Sequence, residues 1–143
     1  MRYDVKSYEV LPNASPELNR HLWTAWLVST VVIALAIGFL TLTPAHHVPR
    51  GDFLWDKLAH LIAFLVLVLP TAALWPRVTA WVGALAVVYA AAIEVIQPYA
   101  GRSAELGDLI ADGIGIALGI ILGTMLRRVY VARRAGAVAR HRG

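Results

Sequence analysis

Residues 22–42 read LWTAWLVSTVVIALAIGFLTL, a run without a single charge. A helix rises ~1.5 Å per residue and the hydrocarbon layer of a bilayer is ~30 Å thick, so roughly 20 apolar residues cross it. Three more blocks follow: 58–75, stopped by Pro76; 80–96, stopped by Pro98; and 109–126. Across the 143 residues, 59% are apolar and 15% charged, with a mean hydropathy of +0.64. A soluble domain sits near about 45–50% apolar and about a quarter charged. Here the excess gathers in the four blocks, which excludes a soluble enzyme, a nucleic-acid module and a disordered chain. The expected fold is all-α: an integral membrane four-helix bundle with a segment 1–21 before it, spans within 22–126 and a basic tail at 127–143.

Ser15-Pro16-Glu17 reads as an N-cap, a first-turn proline and a first-turn acid, so the first helix is expected to begin at Pro16. Pro44 lies just past its end. A cleaved signal peptide does not fit, because the leader is long and carries Asp4, Glu9 and Glu17. Trp23, Trp26, Trp55, Trp75 and Trp81 fall near block ends, where amphipathic rings favour the headgroup zone. An even number of spans puts both termini on one side. That side holds ten Lys/Arg: Arg2, Lys6, Arg20, Arg77 and six between Arg127 and Arg142. The other holds Arg50, Lys57 and Arg102. The positive-inside rule therefore predicts both termini in the cytoplasm. The terminal arginines account for much of the net charge of +4 as a topology signal, with anionic headgroups as a further partner and nucleic acid as none. The absence of cysteine removes disulfides, thiolate nucleophiles and thiolate metal sites.

Ionisable groups are costly inside a bilayer and tend to be kept where they pair or act. Here they collect at one end. Asp56, Lys57 and His60 open the second span, Glu94 and Gln97 close the third, and Arg102, Ser103, Glu105, Asp108 and Asp112 lead into the fourth. Asp56 and His60 are i, i+4 and are expected to hydrogen-bond. Asp108 and Asp112 share a stripe with Gly115, Gly119 and Gly123, a small-residue surface that lets another helix approach closely, so both acids are expected to face inward. Each piece also has a structural reading: Lys57 as a snorkelling stem, Asp56 as a complement to the helix dipole, His60 as a satisfied core histidine. Glu94 and Asp112 resist it best, since each lies within an apolar helix. Glu94 is expected to contact His60 or Arg102, with Asp108 and Asp112 lining the same pocket.

These residues resemble a known family. Asp56-Lys57-Leu58-Ala59-His60 is similar to the D-K-x-x-H opening of the second span in VanZ-like proteins, and Ile93-Glu94-Val95-Ile96-Gln97 to their I-E-x-x-Q. Gly101-Arg102-Ser103, then Asp108 to Asp112 and Gly115, resemble G-R-S followed by D-x-x-x-N-x-x-G. Leu42-Thr43-Pro44 is similar to the short signature after the first span. Asp112 departs from the pattern, which has asparagine there, and Phe64 stands where tyrosine is common. The resemblance implies a small protein of the bacterial inner membrane with a cell-envelope role linked to glycopeptide resistance. It implies no particular reaction.

Three functions follow as expectations. In the first, Lys57, Arg102 and His60 hold an anionic lipid headgroup, a lipid-linked envelope precursor or a glycopeptide antibiotic, with Asp56, Glu94 and Asp108 fixing the cations. In the second, an enzyme acts on a lipid-linked phosphate through His60 oriented by Asp56. Glu94, Asp108 and Asp112 offer oxygens that suit a hard divalent cation in that case, although the sequence assigns no metal ligand and implies no cofactor. In the third, a proton-linked transporter subunit uses the acids as a relay, against which the cytoplasmic half offers no charges.

The chain lacks cysteine, so single introduced cysteines report cleanly on sidedness. Arg50→Cys and Ser103→Cys should react with an impermeant maleimide on intact cells, and Arg77→Cys should react only after lysis. The opposite pattern would invert the topology.

Overall fold

The structure, a computed structural model, describes residues 15–43 and 53–140. Expectations placed on Arg2, Lys6, Pro44, Arg50 and Arg142 lie outside the described residues. Four helices follow one another: α1 (Pro16–Leu42), α2 (Phe53–Leu74), α3 (Thr79–Ile96) and α4 (Leu106–Arg140), with a 3₁₀ turn at Gln97–Ala100. Among the described residues there is no strand. Each helix carries a stretch long and apolar enough to cross a bilayer. α1 begins where the sequence suggested: Ser15 Oγ accepts from the Leu18 amide at 3.2 Å, and Pro16 fills a first-turn position whose N–H has no helical partner.

Besides α1, which starts six residues before its apolar block, α2 and α4 extend past theirs. α2 starts at Phe53 rather than near 58, and α4 starts at Leu106 and runs on to Arg140, ~52 Å at ~1.5 Å per residue. Hydropathy reports transfer into lipid, whereas helicity also accepts charged residues, and Arg and Ala in 127–140 are strong helix formers.

The tightest packing in the bundle is backbone against backbone. A Cβ on Gly115 would overlap the carbonyl oxygen of Leu61. One on Gly119 would lie 2.8 Å from Leu65 O, and one on Gly123 2.5 Å from Leu69 O. The contacts climb together in steps of four on both helices, so α2 and α4 run parallel and in register. At the far end Arg127 of α4 donates to Ala73 O and Leu74 O, meeting the last carbonyls of α2 that lack helical partners. α3 packs on this pair through Ala86, Ala90 and Ile93, around a core that includes Phe64, Val68 and Ile116. α1 lies at the periphery. Tyr89 donates to Ala34 O at 2.6 Å, and Gly38 leaves room for that hydroxyl.

The tryptophans divide. Trp55 and Trp81 are exposed, as a headgroup belt requires, and Trp23 is partly so. Trp26 and Trp75 are buried instead, in a cluster where Trp26 stacks on Trp23 and Trp75 lies tilted against both, and the Trp26 indole donates to the buried Thr71 hydroxyl at 3.0 Å. Proximity to a span end sets the depth of a ring but not the face it occupies. The outer surface is otherwise aliphatic: Leu35, Leu85 and Val95 are each about two-thirds exposed, which fits lipid and not water.

The glycines separate packing from propensity. Gly115→Ala and Gly119→Leu must push α2 away and should each lower detergent stability by ~1–3 kcal/mol. Gly113, with nothing within 4 Å of its virtual Cβ, is the control: Gly113→Ala should be neutral or stabilise by up to ~1 kcal/mol through helix propensity. Thermal melts of the three variants check this, and equal effects would mean that the stripe does not seat α4.

Candidate functional site

The register of α2 and α4 sets the site at the N-terminal ends of both helices. Gly107 gives Lys57 its path, since a Cβ there would lie 2.9 Å from Lys57 Cε. The Lys57 ammonium then bonds Glu105 at 2.5 Å and also Asp108. One turn further in, His60 Nδ1 lies 3.0 Å from Asp112 Oδ1, and His60 Nε2 lies 3.9 Å from Asp108 Oδ2. His60, Asp108 and Asp112 are all buried, so the acidic stripe of α4 faces inward with its glycines.

α3 supplies the third wall. Glu94 Oε2 accepts from the backbone amide of Glu105 at 2.8 Å, placing a carboxylate at the start of α4, where the helix dipole favours negative charge. Gln97 is fully buried and its amide group reaches Thr41 O of α1 at 3.4 Å. Gly101 takes φ +74°, a left-handed conformation open to glycine at little cost, and the Arg102 amide turns back onto Gln97 O at 3.0 Å. That reversal carries the guanidinium to Asp56 at 3.8 Å.

Several expected pairings differ. Asp56 is not the hydrogen-bonding partner of His60; Asp112 is, and Asp56 faces Arg102 at the rim. The i, i+4 spacing brings Asp56 near the imidazole, but the glycine contact draws the α4 acids closer. Glu94 and His60 come within 4.8 Å of one another, but the hydrogen bond of Glu94 goes to the Glu105 amide rather than to His60 or Arg102. Lys57 is held by carboxylates rather than snorkelling. Ser103 is exposed at the rim. Glu105, grouped with these polar residues in the sequence but given no role there, joins Lys57 to the start of α4. Its signal was its place immediately before α4, three residues ahead of Asp108.

Five carboxylates (Asp56, Glu94, Glu105, Asp108 and Asp112) thus meet two fixed cations, Lys57 and Arg102, with His60 at the centre. Three buried side-chain oxygens, Glu94 Oε1, Gln97 Oε1 and Asp112 Oδ2, have no hydrogen-bond partner. His60, Glu94 and Asp112 present ligand atoms within 4.8 Å of one another, and Asp56, His60 and Asp108 form a second such group nearer the rim.

Four apolar helices with a buried polar cluster at one end define a multi-pass helical membrane protein. Residues 16–127 match the family model VanZ/LLP1, and the chain belongs to this VanZ-like family. No curated protein and no solved structure matches it.

The Lys57 ammonium beside Glu105 holds that carboxyl below its ordinary value of 4.5. A carboxylate depressed in the folded state adds stability above its unfolded pKa and loses it as pH falls through the folded one. Glu105 is 41% exposed, so solvent screening keeps the effect below ~1 kcal/mol. Wild-type protein should therefore lose its margin over Glu105→Gln as melts are taken from neutral pH to below 4.5. Parallel pH profiles would show that the ion pair contributes nothing.

Proposed function

We propose that the protein acts in the bacterial inner membrane, both termini cytoplasmic, by binding the anionic headgroup of an envelope lipid or lipid-linked precursor at the extracytoplasmic end of its bundle. The support for this side is the ten-to-three division of basic residues. The observation that carries the binding reading is Arg102. It stands on a tightly reversed loop at the mouth of the polar cluster, and its side chain is only 17% exposed. Its ion pair with Asp56 is 3.8 Å long, beyond hydrogen-bond range, so a phosphate can take the donor fork without breaking a close contact. The aliphatic outer surface beside this rim suits the acyl or polyprenyl chain of the same molecule. A glycopeptide antibiotic, which would present a carboxylate to the same arginine, is a further ligand of this type.

A second reading is an enzyme on a lipid-linked phosphate. It is favoured by the His60–Asp112 pair, in which a buried carboxylate at 3.0 Å orients an imidazole in the manner of a general base.

Mass spectrometry of lipids retained through purification tests the binding reading. Arg102→Ala should reduce the retained anionic lipid roughly tenfold or more, as expected for a lost charge-assisted contact. An unchanged lipid complement would overturn it. Turnover of that lipid by wild-type protein, abolished in His60→Ala, would favour the enzyme.

A further inference from the structure

Beneath the rim, at the junction of α2, α3 and α4, His60, Glu94 and Asp112 make a set distinct from Arg102, on which the headgroup proposal rests. All three are more than nine-tenths buried, and Asp112 is completely so. Their ligand atoms lie within 4.8 Å of one another. One oxygen of each acid has an occupation: Glu94 Oε2 takes the Glu105 amide and Asp112 Oδ1 faces His60. The other two, Glu94 Oε1 and Asp112 Oδ2, are buried without a partner. Leaving even one buried acceptor unsatisfied is costly, and two carboxylates this close repel each other strongly where the dielectric is low. The fixed cations are engaged above them, Lys57 with Glu105 and Asp108, Arg102 with Asp56.

From this geometry we infer that His60, Glu94 and Asp112 form a binding site for one divalent transition-metal ion. One imidazole with two carboxylates is a mixed nitrogen and oxygen donor set, which suits the Mn²⁺ to Zn²⁺ series better than Mg²⁺ or Ca²⁺. The two carboxylates balance a dication in a site that otherwise gathers negative charge. Metal–ligand distances of ~2.0–2.2 Å would draw the donors together by small side-chain rotations. Gln97, one turn beyond Glu94 on the same face, brings a further buried and unpartnered oxygen to this end of the bundle. The second group, Asp56, His60 and Asp108, is the poorer candidate, because Asp108 holds Lys57 and Asp56 faces Arg102 at the rim. The site lies inside the bundle, whereas Arg102 guards its mouth, so the metal proposal stands apart from the headgroup proposal.

The test uses the full chain purified in detergent, stripped with a chelator and titrated with Zn²⁺ and with Mn²⁺. Equilibrium dialysis with elemental analysis gives stoichiometry, and electron paramagnetic resonance of Mn²⁺ reports the bound ion directly. Wild-type protein should take up about one ion per chain. Glu94→Gln and Asp112→Asn, both near-isosteric, should each weaken uptake by about a hundredfold or more, since losing a mere supporting partner of a ligand already costs up to about that much. Wild-type uptake no greater than that of the Glu94→Gln/Asp112→Asn double variant would overturn the site, and so would no uptake at all, an assay that does not depend on any variant folding. Arg102→Ala keeps the two proposals separate: lost lipid with retained metal supports both, and retained lipid with retained metal removes only the headgroup reading.

Discussion

Everything at the polar end depends on how closely α4 can lie against α2. Three glycines four residues apart let the backbone of one helix rest on the carbonyls of the other, 115 on 61, 119 on 65 and 123 on 69. In a membrane this contact has no hydrophobic driving force behind it, because lipid tails are as apolar as leucine, so close packing must supply the attraction. Parallel register then follows, and with it the meeting of Lys57 with Glu105 and Asp108, and of His60 with Asp112. A bulky side chain anywhere on the stripe would push apart the helices that bring these pairs together.

Parallel α2 and α4 also put two helix N-termini side by side. Each carries a partial positive charge, and each has an acid in its first turn, Asp56 and Asp108. Glu94 adds a third carboxylate by accepting the Glu105 amide at the head of α4. Part of the local excess of acids is thereby explained by helix ends. The explanation stops at the inner oxygens of Glu94 and Asp112, which touch neither an amide nor a cation.

Much of this was legible in the sequence, for reasons that differ by feature. Hydropathy and proline positions located four spans because transfer into lipid is additive along a helix. Ser15 and Pro16 marked the start of α1 because capping is local. The inward face of α4 could be read because Asp108, Asp112 and the glycines share one period. Partners could not, since periodicity says which face a residue occupies and never what lies opposite it. Asp56 was therefore matched to His60 within its own helix, when the closer acid comes from a helix fifty residues away in the chain. Trp26 and Trp75 were placed at the headgroups on depth alone, and the structure turns them into the core.

Asp112 shows what a single departure from a family pattern can mean. The motif that resembles this stretch has asparagine at that position, and asparagine would serve the geometry well. Its carbonyl oxygen can accept from His60 as Asp112 Oδ1 does, and its amide would put two donors where Asp112 Oδ2 now lies unpartnered beside the buried Glu94. What the acid adds is a second buried carboxylate next to the first, an arrangement that costs stability unless a shared proton, a protonated His60 or a bound cation offsets it. The proposed cation would use the one oxygen that distinguishes aspartate from asparagine, with His60 bringing a nitrogen to the same site.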